Sequence, residues 1–587
     1  MICLGYNGFS NAADLFATHF GRSGRDRYRV LGHDAGAAIV VDGEVLGAVE
    51  EERLNRIKKT SAFPKQSIEW CLEIAGLELD DIDLFAFPWS FDVANETGSP
   101  RSFAPVGLSA DTNLYDSLVS RQAILTDFKQ SMNYELASDR LVLVSHHDAH
   151  LTCGRHLAGT ETAAFLVTDG RGEVLSSVMG EVGPDGIRHF RGADIPIEHS
   201  LGLLYSKITR YLGFVPNNDE YKVMGLSAFA STIENNPLMD QLIRLKDGGS
   251  YELEHALNRF SDHEYHLIFD EIFAEFSNLS ADDYRASVAW CAQNVVEVVT
   301  AHQVVALRRM SHASTLLVEG GVALNCVNNS KLLNRGEFDN VEVSFAASDV
   351  GVAMGAAVAV SKEATSHRRS SSVTPYMGPS ISRDDALKAI EKFDDLLSWK
   401  ELLPDDLIST VADLLTGDVV VAWSRGRLEL GPRALGNRSI LANPSIPGMK
   451  DTLNIRIKHR EPFRPFAPVV LESRAQEIFD MGKKKCSPYM TFTFPVRSEY
   501  LSKVGAACHI DGTARVQTVT PESNPSLAAL LKQFEEYSGV PCLVNTSFND
   551  SGEPIVSTAL DAVNCFLSTG IDYLVLDNFL VSRRVTS

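Results

Sequence analysis

Three junctions between an apolar run and glycine limit what this chain can fold into. Gly32-His33-Asp34-Ala35-Gly36 leads into an apolar hairpin, Asp169-Gly170-Arg171-Gly172 follows FLVT, and Glu319-Gly320-Gly321 follows TLLV. Glycine at a strand end lets backbone amides approach a phosphate, and an acidic neighbour there can hold a metal. The segments around these junctions alternate. Residues 38–53 read as a β-hairpin turning at Asp42-Gly43, SIEWCLEIAGL as a helix closed by Gly76, and LFAFPW as a strand. LVLVSHH and AAFLVTDG read as short buried strands. Residues 286–312 read as a long helix leading into STLLVEGG, and VGVAMGAAVAV as a buried helix. Short buried strands alternating with helices predict an α/β fold. Neither G-x-x-x-x-G-K-[ST] nor G-x-G-x-x-G occurs, so P-loop and Rossmann readings lose support.

The length, 587 residues, suggests more than one domain. The polar stretch KEATSHRRSSSVTP at 362–375 reads as the linker between a first lobe, 1–365, and a second, 375–587. A formal net charge of -22 argues against a nucleic-acid partner, because phosphate contacts need a basic face. An anion site must then be a local basic pocket. No apolar run is long enough to span a bilayer, and the start carries no basic segment ahead of an apolar one, so no membrane partner is expected. Nine dispersed cysteines without a C-x-x-C pair fit reduced thiols, and a cytoplasmic location is expected.

VSHHDAHLTCG supplies the next constraint. His146 and His150 lie four apart, on one face of a helix, which suits two imidazoles on one ion. The residue after His146 is another histidine, not the glutamate of H-E-x-x-H, so a zinc-protease reading fails. Asp169 at a strand end and Asp349 at a strand-to-helix turn can add carboxylates. Two His and two Asp suit Fe(II), Mn(II) or Zn(II). His147 reads as filler or as support for the ligands.

Residues 425–464 hold nine lysines and arginines against three acids, a net +6 in an acidic chain. Arginine forks and lysine point charges among glycines and prolines suit a shaped pocket for a phosphate-rich small ligand. Asp511-Gly512-Thr513-Ala514-Arg515 and Asn545-Thr546-Ser547-Phe548-Asn549 are small, polar and strand-adjacent, and could complete it.

The motifs HDAGAA, EEER, HHDAH, SLGLLYSKITRYLGF, KVMGLSA, EGGVALN, ASDVGVAMGAA, LELGPRALGNRSIL, IKHREPFRPFAP, DGTARVQTV and NTSFN occur in one order. From about residue 1 to 585 the chain resembles the nodulation and antibiotic-biosynthesis O-carbamoyltransferases, the NodU/CmcH-type family. The three glycine junctions resemble the phosphate 1, phosphate 2 and adenosine motifs of actin-like ATPases. The resemblance implies an actin-like, threonylcarbamoyl transferase-like first domain and a YrdC-like second domain. It implies that carbamoyl phosphate and ATP, with Mg2+, give carbamoyl-adenylate, pyrophosphate and phosphate in the second domain. In the first domain a hydroxyl of a small-molecule acceptor, a natural product or sugar, then displaces AMP. It further implies a homodimer.

Carried over by motif, the metal ligands are His146, His150, Asp169 and Asp349, with iron as the metal. Arg433, Lys458, Arg464, Arg515 and Ser547 hold carbamoyl phosphate and ATP. Lys222, Gly320, Gly321 and Asn325 line the nucleotide site of the first domain. His33 sits at the transfer centre, with Asp34 orienting it or acting itself. The chain departs from the family pattern in extra residues at 8–30, in Tyr221 before Lys222, and in Phe229-Ala230. With the loop at 92–118, the added segment is expected to shape the acceptor entrance. A tRNA threonylcarbamoyl-type enzyme is the alternative on the same two folds, and the acidic charge weighs against it. A non-catalytic nucleotide-binding module would leave the metal set and the basic pocket without a purpose.

Overall fold

The computed structural model describes residues 1–10, 31–90, 119–230, 233–257, 262–361 and 374–584. Most of the added segment at 8–30 and of the linker at 362–375, and all of the loop at 92–118, lie outside them. The chain divides into two compact units, one of Met1–Asn55 with Lys59–Val373, the other of Arg56–Lys58 with Thr374–Ser587. Among the described residues no helix is long and apolar enough to cross a membrane.

The first unit contains two sheets. The first consists of β1 (Ile2–Asn7), β2 (Gly36–Val41), β3 (Glu44–Glu50), β4 (Leu84–Phe87) and β5 (Leu141–Leu143), in the order β3-β2-β1-β4-β5. The hairpin β2–β3 turns at Asp42 and Gly43, both with positive φ, the geometry a two-residue turn needs to follow the strand twist. The second sheet runs β10-β9-β6-β7-β8, from β6 (Ala163–Thr168), β7 (Leu175–Gly183), β8 (Gly186–His189), β9 (Thr315–Glu319) and β10 (Asn340–Glu342), with the two-residue strand Ile195–Pro196 pairing β7 off this path. In each sheet the first three strands are antiparallel neighbours, and the last two run parallel to the first. The topology is therefore used twice, though no sequence repeat of fixed period announces it.

Five helices position the candidate site of this unit: α1 (Lys65–Ala75), α2 (His146–Ala158), α3 (Ala281–Met310), α4 (Cys326–Arg335) and α5 (Val352–Val360). LVLVSHH is not strand to its end. The strand stops at Leu143, and the histidine pair forms the first turn of α2. α5 is buried, as its apolar composition predicts, and it lies against α2 in backbone contact. A Cβ on Gly355 would stand 1.9 Å from the Ala149 carbonyl oxygen, so only glycine permits the approach. That contact brings together the helix carrying two histidines and the turn carrying Asp349.

The second unit is built on one mixed sheet of eight strands: β11 (Leu397–Glu401), β12 (Val420–Ser424), β13 (Arg438–Ala442), β14 (Ala467–Leu471), β15 (Gln517–Val519), β16 (Cys542–Ser547), β17 (Tyr573–Leu576) and β18 (Phe579–Arg583). Their order is β11-β18-β17-β12-β13-β16-β14-β15. Helices α6 (Pro404–Leu415) and α7 (Pro525–Ser538) each keep an apolar face buried, including Leu407, Val411, Leu527 and Leu531.

Candidate metal centre and anion pocket

The first turn of α2 is fixed from outside the helix. Glu173 is buried, and its Oε1 accepts the peptide N–H of His146 at 2.9 Å and of Ser90 at 2.8 Å, so a carboxylate meets the helix N-terminus. The Trp89 indole stacks on the His146 ring at 3.9 Å between centroids. His146 Nδ1 lies 3.2 Å from the Pro88 carbonyl oxygen and can only donate to it, which leaves Nε2 as the ligating nitrogen.

From Nε2 of His146, Nε2 of His150 is 3.2 Å away, Asp169 Oδ2 3.5 Å and Asp349 Oδ1 3.6 Å. Asp349 Oδ1 is also 3.4 Å from His150 Nε2. All four donor atoms lie within 4.8 Å of one another, and all four residues are buried. Donors bound at about 2.1 Å around one tetrahedral ion stand about 3.4 Å apart, so the set fits a small divalent metal. The ion-free electrostatics agree. Burial opposes a charge on His146, yet Asp349 and Asp169 overrule it and push the imidazole up to about 10. Asp349 is held well below the usual carboxylate range because His146 and His150 outweigh its burial. The cluster thus draws in positive charge, and a divalent cation supplies it best.

Asp169 is oriented by the third glycine junction. Its Oδ1 accepts the Gly321 N–H at 2.7 Å. Gly320 has φ +90°, and a Cβ there would stand 2.3 Å from the Thr168 carbonyl oxygen. Asn325 caps α4 by accepting the Asn328 N–H at 3.0 Å, and it exchanges hydrogen bonds with Gln293 on α3. All three residues therefore carry structural work beside the four-donor cluster. His147 packs its ring against Gly172, and burial together with His146 lowers it to about 3.

His33 stands at the edge of this centre, its Nδ1 3.7 Å from Asp349 Oδ2 and its side chain 24% exposed. Asp34 is not free beside it, because its Oδ2 pairs with Lys59 Nζ at 2.9 Å. Burial would lower the Lys59 ammonium, but Asp34, Glu52 and Asp349 raise it above its ordinary value. Lys59 has no signature in sequence. It is placed by a left-handed backbone (φ 54°) and by its N–H donating to Glu52 Oε2 at 2.6 Å. EEER is the scaffold for this: Arg53 pairs with Glu50 and Glu52, and Glu51 accepts the Ser67 N–H and hydroxyl in the first turn of α1. Lys222, in the same unit, pairs with Asp219 at 3.2 Å and lies over the Phe214 ring.

In the second unit the basic stretch separates into two kinds of cation. Five of the nine hold the fold. Arg425 bonds Asn578, Arg427 the Gly378 carbonyl, Arg438 the carbonyls of Gly426 and Asn437, Arg456 Asp572, and Arg460 Asn454. Lys458 is different. An i→i+5 helical turn, Thr452–Ile457, precedes it, and His459 after it has φ 44°. Its buried ammonium donates to the Ser547 carbonyl, and at 2.8 Å to both the carbonyl and Oδ1 of Asn549. Burial first, then Arg460, pushes it well below lysine's usual range, and Arg464 adds to that.

Two buried amides tie the segments bearing Arg433 and Arg515 to the end of β16. Asn545 Nδ2 donates to the Ala434 carbonyl at 3.2 Å and to Gln517 Oε1 at 2.6 Å, and Gln517 Nε2 donates to the Leu435 carbonyl at 2.7 Å. The loop bearing Arg433, the approach to β15 bearing Arg515, and the strand ending in Ser547 are thereby locked together. Asn545, Gln517 and Asn549 are the residues that charge counting misses.

Residues 28–358 match the family described as Carbamoyltransferase N-terminus, and residues 412–583 that described as Carbamoyltransferase C-terminus. Nodulation protein NolNO of Sinorhizobium fredii (strain NBRC 101917 / NGR234) is 35% identical over 598 residues, covering 100% of this chain and 83% of that protein. Nodulation protein NolO of Bradyrhizobium diazoefficiens is 36% identical over 451 residues, 76% of this chain and 80% of that protein. Nodulation protein U of Rhizobium tropici is 29% identical over 549 residues, 89% of this chain and 90% of that protein.

Proposed function

The chain belongs to the carbamoyltransferase family and is an enzyme of that kind, and from this premise we propose that it makes carbamoyl-adenylate from carbamoyl phosphate and ATP and passes the carbamoyl group to a hydroxyl of a small molecule. We assign adenylate formation to residues 375–587, read as YrdC-like, and transfer to residues 1–365, read as actin-like. The sheet order used twice in the first unit supports the second assignment. The observation that carries the proposal is a partly exposed imidazole, His33, beside a four-donor cluster suited to a divalent ion.

A carbamoyl carbon is deactivated by its nitrogen, so transfer to a hydroxyl needs a good leaving group, which AMP provides. In the second unit the phosphates meet Arg433, Arg464 and Arg515, while Lys458 and Ser547 hold the reacting end. Lys458 and Ser547 are fixed before the ligand arrives by their bonds to Asn549, so they stabilise the developing charge without reorganising. In the first unit His146, His150, Asp169 and Asp349 would hold the metal, iron by the family resemblance. A divalent metal there supplies Lewis-acid binding of phosphate oxygens. His33 takes the acceptor's hydroxyl proton as the carbamoyl carbon is attacked. Asp34, tied to Lys59, orients that edge of the site and leaves the proton to His33. Lys222 and the backbone of Gly320 and Gly321, with Asn325 behind them, border the nucleotide.

The test is carbamoyl-phosphate-dependent exchange of pyrophosphate into ATP by the purified chain. Exchange is expected. Its absence, under conditions where ATP binds, overturns the adenylate reading. A panel of hydroxylated natural products and sugars then identifies the acceptor.

A further inference from the structure

Arg515 is preceded by a tight turn whose side chains form a hydrogen-bonded relay. Asp511 Oδ1 accepts both the N–H of Thr513, at 3.0 Å, and its hydroxyl, at 2.7 Å. A carboxylate only accepts, so the threonine proton points at Asp511 and the Thr513 oxygen is left as an acceptor. His509 Nδ1 lies 3.1 Å from that oxygen and must donate to it. The backbone closes the same turn, with His509 N–H to the Thr513 carbonyl at 2.7 Å and Gly512 N–H to the His509 carbonyl at 3.1 Å. One tautomer results, with the proton on Nδ1 and a lone pair on Nε2. This is how a carboxylate orients an imidazole for proton abstraction, with a hydroxyl interposed. Burial, then Arg515 and Lys450, lowers the ring to about 4, so it is neutral at physiological pH.

The proposed reaction needs such a group. Carbamoyl phosphate and ATP can yield carbamoyl-adenylate with separate phosphate and pyrophosphate only if one water is consumed. Resting on that reading, we propose that His509 is the base that activates this water against carbamoyl phosphate held by Arg515. Nε2 takes a proton from water as the water oxygen bonds to the carbamoyl carbon. The carbon–oxygen bond to phosphorus breaks, and its electron pair leaves with the phosphate, which receives the proton from His509. The carbamic acid loses its own proton to solvent. The resulting carbamate attacks the α-phosphorus of ATP and expels pyrophosphate. Bound phosphate would also offset the charges of Arg515 and Lys450, so the imidazole gains basicity only when the substrate is present.

His509→Asn tests this, because the amide can still donate to Thr513 and keep the turn while the Nε2 lone pair is lost. Pyrophosphate exchange is measured on the full chain with two carbamoyl sources: carbamoyl phosphate, and carbamate formed from ammonium and bicarbonate. The wild type is expected to exchange with both. The variant should lose about 100-fold or more with carbamoyl phosphate, the usual contribution of a general base, yet stay within about twofold with carbamate. Equal loss with both sources, or a fall of less than about tenfold with carbamoyl phosphate, overturns the role of His509. A wild type that uses carbamoyl phosphate but not carbamate also overturns it, while leaving the adenylate reading intact. Exchange with neither source overturns both.

Discussion

The two centres are electrostatic opposites. In the first unit two carboxylates and two imidazoles converge with their donor atoms facing one another, so the protein has assembled lone pairs. In the second, a buried ammonium is met by carbonyl and amide oxygens that carry no charge, with arginines close by. The first arrangement suits a cation, and the second is the one proposed for an anion. Burial makes both preferences stronger, because water is not there to answer them. A site's preference can thus be read from the charge its own residues fail to balance, and neither preference shows in the net charge of -22.

The widest separation between the centres should come from Lys458→Ala. Pyrophosphate exchange is expected to fall about 100- to 1,000-fold, the cost of losing one preorganised donor, while bound metal measured by elemental analysis is unchanged. The converse is His146→Ala combined with His150→Ala, which should strip the metal and leave carbamoyl-phosphate-driven exchange within about threefold, since the two lost ligands take no part in adenylate chemistry. Equal loss of exchange in both variants would break the division. A finer cut is His33→Ala, expected to keep exchange and lose about 100-fold in transfer to an acceptor.

The smallest effect concerns Glu319, a buried acid packed against Gly154 of α2. Burial pushes the Glu319 carboxyl up to about 8, against hydrogen bonds from the Ser344 N–H and hydroxyl that favour its charged form. An acid whose folded value is raised binds its proton more tightly in the native state than in the unfolded chain. Its contribution is complete at pH below about 4.5 and is lost as pH rises to about 8, at no more than about 1.4 kcal/mol per unit. Glu319→Gln should flatten that slope, so its Tm relative to wild type should be higher at pH 8 than at pH 6.

The sequence reveals the donor cluster because its chemistry lies in residue types and spacing. Two histidines four apart, an aspartate after a strand and another in the turn before a helix suffice, and α2, β6 and the turn before α5 bring them together. The basic stretch is legible only as a total. Which cations hold the fold depends on partners far along the chain, such as Asn578 for Arg425 and Asp572 for Arg456. Lys59 is hidden for another reason: a left-handed residue in a loop sets its position, and no periodicity records that. The twice-used sheet order is equally silent, since strand pairing constrains pattern and burial without asking for the same residues.

One contact gives the metal centre an optical handle. Trp89, one of five tryptophans, stacks on the ring of His146. An indole stacked on an imidazole that would hold the metal is an emitter placed beside the candidate site. Paramagnetic iron bound there would darken Trp89, and diamagnetic zinc would leave it bright. The emission of one native residue thus reports both whether the site is filled and by what kind of metal, with no label attached.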